Sequence, residues 1–281
     1  MANALILSSH VASSRVGGSV QALALAQFKI DPVLAPTVLY GRHPGWGRPG
    51  GAPTPIEVFE GMLDGVEANG VLERIDLLIT GYFASAAQVR AAARAIDAVK
   101  AAPRDEGVRK PIIMVDPTMG DSGKGLYVPT EVFQALMSDL IPRADYVAPN
   151  AWELEKMTGV SAKSPRSAVD AARMLGRPTL VSSVERGAEI GAVYADKSEA
   201  WFAAHARAPV APSGSGDLLT ALFAAALLED QPPSYALARA VGGVAETIIA
   251  AGIWKAQELP VVAMGAKIKS ASPSVRIERL A

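Results

Sequence analysis

Short apolar runs alternate with longer Ala-rich amphipathic segments along most of this 281-residue sequence. Runs such as 112–115 are apolar on both faces, which is typical of strands covered on both sides of a sheet. Strands separated by helical segments of about 10–15 residues indicate βαβ units around a parallel sheet. The pattern therefore predicts an α/β fold with a mostly parallel central sheet and helices on both faces.

The same alternation predicts individual elements. Strands are expected at 4–7, 32–38, 76–81, 111–116, 146–149 and 179–182, with a hairpin at 188–194 and 200–204. Helices are expected at 19–27, 56–68, 86–100, 167–175, 217–228 and 234–251. The Gly- and Pro-rich segment 41–55 is expected to be loop throughout, and 267–281 to be either a terminal strand or a tail. Because no long linker interrupts the pattern, we expect a single domain over 1–281.

Charge and cysteine content exclude several classes of protein. Lys and Arg total 27 and Asp and Glu total 28, so nothing in the charge favours nucleic acid as a partner. The absence of cysteine excludes a disulfide framework, a thiolate metal site and a catalytic Cys. The first residues show neither the basic part nor the long apolar part of an export signal. The apolar stretch 218–228 has about half the ~20 residues that a membrane-spanning helix needs. We therefore expect a cytoplasmic protein with no membrane partner.

Polar clusters that follow strands are candidate sites, because ligands of open α/β sheets bind beyond the carboxyl ends of the strands. The cluster 212–217 opens an apolar helix with two glycines, and the free N–H groups of that helix start favour an anion. Asp217 lies in the first turn of this helix. It is either a stabilising first-turn acid or a general base that takes the proton of a hydroxyl attacking a bound phosphoryl group.

Two further clusters carry carboxylates. Asp116 and Asp121 lie in a Gly-rich loop that suits hydrated Mg²⁺ or a polyphosphate, although Asp side chains also stabilise plain turns. The Gly-x4-Gly-Lys-Ser/Thr pattern of a P-loop is absent. Asn150 and Glu153 have the spacing of an Asn-led capping box, and they either cap a helix or also face the cleft and assist a metal.

The N-terminal third contributes a fourth candidate region. Small residues around Ser9 leave space for a ligand after the first strand, and the adjacent His10 is equally a core histidine. His43 lies in the loop that we expect to act as a lid. The three histidines show no metal-ligand spacing.

Six segments between residue 9 and about residue 250 lie in the same order as the motifs of one kinase family. They are Ser9-His10-Val11, 37–46, Thr80-Gly81-Tyr82, 116–120 with 126–129, 144–150 with Glu153, and Gly214-Ser215-Gly216-Asp217. Together they resemble the pyridoxal kinases of the ribokinase-like superfamily. The last segment is similar to the Gly-Thr-Gly-Asp anion hole of that family.

The resemblance implies a ribokinase-like three-layer sandwich and phosphorylation of the 5′-hydroxyl of pyridoxal, pyridoxine or pyridoxamine by Mg-ATP. The product from pyridoxal is pyridoxal 5′-phosphate, as in vitamin B6 salvage. The resemblance also implies a homodimer and a supporting monovalent cation such as K⁺. The resemblance implies Asp217 as the base and the N–H groups of Gly214, Ser215 and Gly216 as the anion hole. It implies contacts to ATP from Asp116, Asp121, Asn150, Glu153, Ser182 and Ser183, of which Asp116, Asp121 and Glu153 also serve Mg²⁺, partly through water. It implies contacts to the vitamer from Ser9, His43, Tyr82 and Asp217.

Departures from the family pattern cluster on the vitamer side. Pro44 stands where the family has Thr, Gly41 and Arg42 where it has Ser and Asn, and Gly18 where it has Asn. A related kinase for a hydroxymethylpyrimidine or a sugar therefore stays open. A non-catalytic vitamer-binding protein is a further alternative, but binding alone requires no base at Asp217. In the resemblance, hydroxymethylpyrimidine kinases and one branch of pyridoxal kinases carry Cys where this chain has Asp217.

Overall fold

The computed structural model describes residues 2–209, 211–270, 272 and 274–281. The strands within them are β1 Asn3–Val11, β2 Asp31–Tyr40, β3 Gly51–Pro53, β4 Ile75–Thr80, β5 Ile112–Val115, β6 Gly120–Asp121, β7 Gly125–Leu126, β8 Tyr146–Val147, β9 Thr179–Arg186, β10 Glu189–Ala195, β11 Ala200–Ala206 and β12 Arg276–Arg279. The α-helices are α1 Gly17–Gln27, α2 Ile56–Ala68, α3 Ala86–Ala101, α4 Thr130–Ala135, α5 Ala151–Thr158, α6 Pro165–Met174, α7 Ser215–Leu228, α8 Pro233–Trp254 and α9 Val261–Met264. A π-helical turn, Leu136–Leu140, extends α4.

Ten strands form one twisted sheet in the order β12-β11-β10-β9-β8-β5-β4-β1-β2-β3. The pairs from β2 across to β9 are parallel, whereas β3 at one edge and β10 to β12 at the other pair antiparallel. The predicted mostly parallel sheet is confirmed, and β10 with β11 forms the predicted hairpin. The carboxyl ends of the parallel strands β1, β4, β5 and β8 consequently lie side by side at the same end of the strands, where polar residues collect.

Alternating side chains place helices on both faces of the sheet. On β1, Ala4 and Ile6 pack in a core with α1, α7 and α8, while Leu5 and Leu7 point to the opposite core with α2, α3 and α4. All four side chains are fully buried. Because successive residues of a strand face opposite sides, this pattern places two helical layers around one sheet, as predicted.

The antiparallel end of the sheet has the same arrangement. Val193 and Phe202 pack with α5 and α6 in a third core, whereas Tyr194 and Ala203 of the same strands pack against the α7 and α8 side. The helices α5 and α6 therefore lie on the same face as α2 to α4.

The prediction that 41–55 is loop throughout is wrong. A 3₁₀ turn forms at Pro44–Trp46, and β3 pairs antiparallel with β2 at the edge of the sheet. An edge strand needs hydrogen bonds on one side only, so Pro53 is tolerated at its end despite lacking an N–H group. A segment this rich in Gly and Pro carries no alternation from which such a strand could be predicted.

Two features of the C-terminal part complete the fold. By length and composition α8 is the one candidate membrane span among the described residues. However, 72 % of its apolar 18-residue stretch is buried inside the fold. It packs on α7 as a core helix. The segment predicted as a terminal strand or a tail contains β12, and its residues Ala271 and Pro273 lie outside the described residues.

Candidate active site

A cleft of about 670 Å³ lies beyond the carboxyl ends of the parallel strands. Its walls come from the ends of β1, β2, β4, β5 and β8 with the segments that follow them, from β9 and from the start of α7. Every predicted site residue lines it: Ser9, His43, Tyr82, Asp116, Asp121, Asn150, Glu153, Ser182, Ser183, Gly214, Ser215, Gly216 and Asp217. Chain segments as far apart in sequence as Ser9 and Asp217 thus meet at one site, as the strand order requires.

The start of α7 forms the anion-binding corner of this cleft. Gly214 is the N-cap residue, with a φ of +91° in the left-handed region that L side chains avoid. A β-carbon at this position would also overlap the carbonyl oxygen of Arg15. Ser215, Gly216 and Asp217 fill the first turn, where backbone N–H groups lack partners within the helix. This corner can hold a phosphoryl group through backbone donors and the helix dipole.

Asp217 is half-buried and faces this corner from the third helical position. Burial and the nearby Asp116 raise the pKa of its carboxyl group to about 7, while hydrogen bonds from the backbone N–H groups of Gly17 and Asp217 itself oppose the shift. A carboxylate with a pKa near neutrality is suited to accept a proton at physiological pH.

Asp116 lies at the end of β5 and is held by the hydroxyl groups of two threonines. Its Oδ1 accepts hydrogen bonds from the Thr118 backbone N–H at 3.1 Å and from Thr118 Oγ1 at 2.6 Å. Its Oδ2 accepts one from Thr220 Oγ1 at 2.9 Å. Burial raises the pKa of Asp116, and these donors oppose the rise. Sequence reasoning gave Thr118 and Thr220 no role.

Asn150 and Glu153 form the predicted capping box at the start of α5. Glu153 Oε2 accepts from the Asn150 N–H at 2.8 Å, and Oε1 accepts from the N–H groups of Met119 and Gly120 at 2.7 and 3.2 Å. The Asn150 side chain also donates to the Gly120 carbonyl oxygen at 2.8 Å. Burial and the proximity of Asp116 raise the pKa of Glu153 to about 8. Both residues therefore tie the loop after β5 to α5.

The β6–β7 hairpin closes one side of the cleft. Asp121 Oδ1 accepts from the N–H groups of Gly123 and Lys124, both at 2.9 Å, and Oδ2 lies 3.4 Å from the Lys124 ammonium nitrogen. Tyr127 follows this hairpin and also lines the cleft, with its ring centroid 6.4 Å from that of Tyr82. Burial and four nearby carboxylates raise the pKa of the Tyr127 phenol. This tyrosine connects the aromatic side of the cleft to the carboxylates.

The end of the cleft that adjoins Tyr127 is lined by Ser9, His43 and Tyr82. His43 Nδ1 accepts a hydrogen bond from the Gly45 N–H at 3.0 Å, so the neutral ring carries its proton on Nε2. Burial, together with the positive charge of Lys124, lowers the pKa of His43. The ring packs edge-on against Trp46 at 6.4 Å between centroids. This end offers an aromatic surface and neutral hydrogen-bonding groups.

A second cavity of about 300 Å³ adjoins the anion-binding corner. It shares Ser182, Ser183, Ser215 and Gly216 with the main cleft. Its remaining wall is largely apolar, with Ile190, Leu219, Val241, Val244 and Ile248 among the lining residues. Sequence reasoning missed these positions because they are dispersed over β10, α7 and α8 and read as ordinary core.

No group of three or more His, Cys, Asp or Glu side chains able to hold a metal ion occurs in the part of the chain that the structure describes. Both Glu153 oxygens and Asp121 Oδ1 already accept backbone hydrogen bonds. Asp116 Oδ2, with one donor, retains capacity for a further partner. These carboxylate oxygens therefore fit an Mg²⁺ ion that is bound to a nucleotide and keeps several of its water ligands, as Mg²⁺ commonly does.

Comparison with known proteins identifies the family. A model of the phosphomethylpyrimidine kinase family matches residues 70–261. A pyridoxine/pyridoxal/pyridoxamine kinase of Bordetella avium is 33 % identical over 228 residues, covering 78 % of this chain and 75 % of the relative. A pyridoxal kinase of Corynebacterium diphtheriae is 29 % identical over 99 % of this chain and all of its own length. The crystal structure of pyridoxal kinase from Entamoeba histolytica superposes over the full length of both chains, with a TM-score of 0.89 and 26 % identity. The chain therefore belongs to the phosphomethylpyrimidine kinase sequence family and, within it, to the pyridoxal kinases of the ribokinase-like superfamily.

Proposed function

We propose that this chain transfers the γ-phosphoryl group of ATP to the 5′-hydroxyl of pyridoxal, and also of pyridoxine and pyridoxamine, in vitamin B6 salvage. The observation that carries the proposal is Asp217, a carboxylate with a pKa of about 7 placed in the first turn of a helix whose free N–H groups face the cleft. The family and the names of the relatives supply the substrate class.

In the proposed reaction Asp217 takes the proton of the vitamer 5′-hydroxyl as its oxygen attacks the γ-phosphorus. A new O–P bond forms, the bond from the γ-phosphorus to the bridging oxygen breaks, and ADP leaves with the electron pair. The N–H groups of Gly214, Ser215 and Gly216 hold the transferring group through preorganised donors. Catalysis of this kind depends mainly on position and electrostatics.

We place the vitamer ring at the end lined by Ser9, His43 and Tyr82, and the adenine in the apolar second cavity. Tyr127 lies between the vitamer end and the carboxylates, so we add it to the substrate contacts. Ser182 and Ser183 line both cavities, and Asn150 forms a backbone bridge with Ser182, so we assign these three residues to the ATP phosphates.

Mg²⁺ supplies charge neutralisation for the transferring phosphoryl group when it is bound. Asp116 would hold it, with Glu153 and Asp121 acting through water. The monovalent cation and the homodimer follow from the resemblance, the cytoplasmic location is the expectation from the sequence, and all three are part of the proposal.

A kinase for a hydroxymethylpyrimidine is the second candidate, favoured by the description of the matching family model. A substrate panel separates the two. We expect ADP release with Mg-ATP and pyridoxal, pyridoxine or pyridoxamine, with formation of the 5′-phosphate identified by mass spectrometry.

The controls are reactions without acceptor and without Mg²⁺. Turnover on hydroxymethylpyrimidine or a sugar, with none on the three vitamers, would replace the vitamin B6 assignment. No turnover on any acceptor, with vitamer binding detected by calorimetry, would leave a non-catalytic binding protein.

A further inference from the structure

Thr220 of α7 forms a buried hydrogen bond with Asp116, a carboxylate that lines the cleft. Its Oγ1 donates to Asp116 Oδ2 at 2.9 Å, across a sequence separation of 104 residues. Thr220 is 2 % exposed and Asp116 is 6 % exposed, so water does not compete freely for this bond. The side chains of α7 and the end of β5 are thus connected by one charge-assisted contact.

The position of Thr220 on α7 explains how it reaches Asp116. It lies three residues after Asp217, and residues at this spacing share a face of a helix. The first turns of α7 therefore direct Asp217 and Thr220 towards the same end of the cleft. One rigid helix positions the candidate base directly and a second carboxylate through a hydroxyl group.

The hydrogen bonds of Asp116 leave one oxygen with remaining capacity. Oδ1 accepts two hydrogen bonds, both from Thr118, whereas Oδ2 accepts one, from Thr220. An ionised carboxylate offers about two acceptor sites per oxygen. The side chain lines the cleft, so the remaining site on Oδ2 is the one available to a metal-bound water.

We propose that Thr220 is a positioning residue, which fixes Asp116 Oδ2 so that its remaining acceptor site serves the metal ion carried by the nucleotide. The inference rests on the proposed nucleotide-dependent activity. Without the hydroxyl, Oδ2 loses its one donor among the described residues, and Thr118 is the donor that still orients the carboxylate there. Affinity for the metal–nucleotide complex then falls, while the anion-binding corner and Asp217 remain in place.

The test uses Mn²⁺ as a spectroscopic probe. Binding of Mn²⁺ to the protein with saturating ADP and no vitamer is followed by electron paramagnetic resonance for Thr220→Ser, Thr220→Ala and Thr220→Val. Serine keeps the hydroxyl, and alanine differs from serine in the hydroxyl alone. We expect serine to stay within about threefold of wild type, and alanine and valine to bind Mn²⁺ at least about tenfold more weakly, since a hydrogen bond to a charged group is lost.

A matched control is Thr247→Val in α8. Thr247 is buried, and its hydroxyl donates only to the Gly243 carbonyl oxygen, at 2.7 Å. This variant should bind Mn²⁺ as wild type does. Equal weakening by serine and alanine, or binding by alanine within twofold of wild type, would overturn the proposal. Because no turnover is measured, the result is independent of which acceptor the enzyme phosphorylates.

Discussion

At the scale of single residues, the buried carboxylates of Asp116 and Glu153 share one site with the half-buried Asp217, and no ion pair within the described part of the chain involves any of the three. The pKa of Asp217 is raised to about 7 and that of Glu153 to about 8, and burial is the first cause in both. Buried carboxylates with raised pKa values destabilise the folded protein once they ionise, and they cluster where chemistry needs them. The site therefore has a cost in stability that a substitution can reveal.

We predict that Asp217→Asn raises the free energy of unfolding more at pH 8 than at pH 5. The folded carboxyl has a pKa of about 7 against an ordinary value of 3.8, so between these values the folded state binds more protons than the unfolded chain. Stability contributed by this group is therefore present at low pH and is lost as the pH rises through 7. Asparagine does not titrate, so it avoids the loss.

Urea unfolding at the two pH values measures this difference. Asp64→Asn, an exposed substitution on α2, is the control and should change the free energy by no more than about 0.5 kcal/mol at either pH. A stabilisation by Asp217→Asn that is equal at pH 5 and pH 8 would argue against an elevated pKa.

At the scale of elements, the start of α7 has little freedom to change. Its N-cap, Gly214, combines a φ of +91° with a close approach to the Arg15 carbonyl group. The loop that follows β1 therefore packs directly against the anion-binding corner. Close packing of this kind keeps the backbone donors in place before any ligand arrives.

Gly214→Ala is predicted to lower the free energy of unfolding by at least about 1–2 kcal/mol, the cost of a left-handed conformation for an L residue. It should also weaken ADP binding, because the backbone must shift to relieve the overlap. Gly61→Ala in the exposed interior of α2 is the matched control. That change should stabilise the protein by about 0.5–1 kcal/mol, since alanine is the better helix former.

Chemical unfolding and calorimetry with ADP measure both effects. Wild-type stability and affinity in Gly214→Ala would show that the corner tolerates a side chain, contrary to the geometry of Gly214.

Local patterns were sufficient for elements whose signal lies in consecutive residues. The predicted helix 56–68 coincides with α2, and the capping box of Asn150 and Glu153 is present as predicted. The edge strand β3 was missed because its pairing with β2 depends on a neighbour rather than on its own composition. The contact between Thr220 and Asp116 was missed for a related reason: it requires the packing of α7 against β5, which no local pattern encodes.

At the scale of the whole molecule, the strand order explains why the site is where it is. The loops that follow the parallel strands β1, β4, β5 and β8 all lie at the carboxyl ends of these strands. The start of α7, from the C-terminal part of the chain, lies at the same place. This is the position at which open α/β sheets bind ligands. The single domain over 1–281 stays a prediction, and so does the homodimer. A measurement of the molar mass in solution, compared with the 29.2 kDa of one chain, tests the homodimer.

The role of Asp217 as the base is decided by the rate of pyridoxal 5′-phosphate formation by wild type and by Asp217→Asn, at saturating Mg-ATP and pyridoxal. General-base catalysis contributes roughly 10²–10⁴-fold. We expect kcat to fall by that factor in Asp217→Asn, with ADP affinity within about threefold of wild type by calorimetry. A kcat within tenfold of wild type would contradict the role of Asp217 as the base.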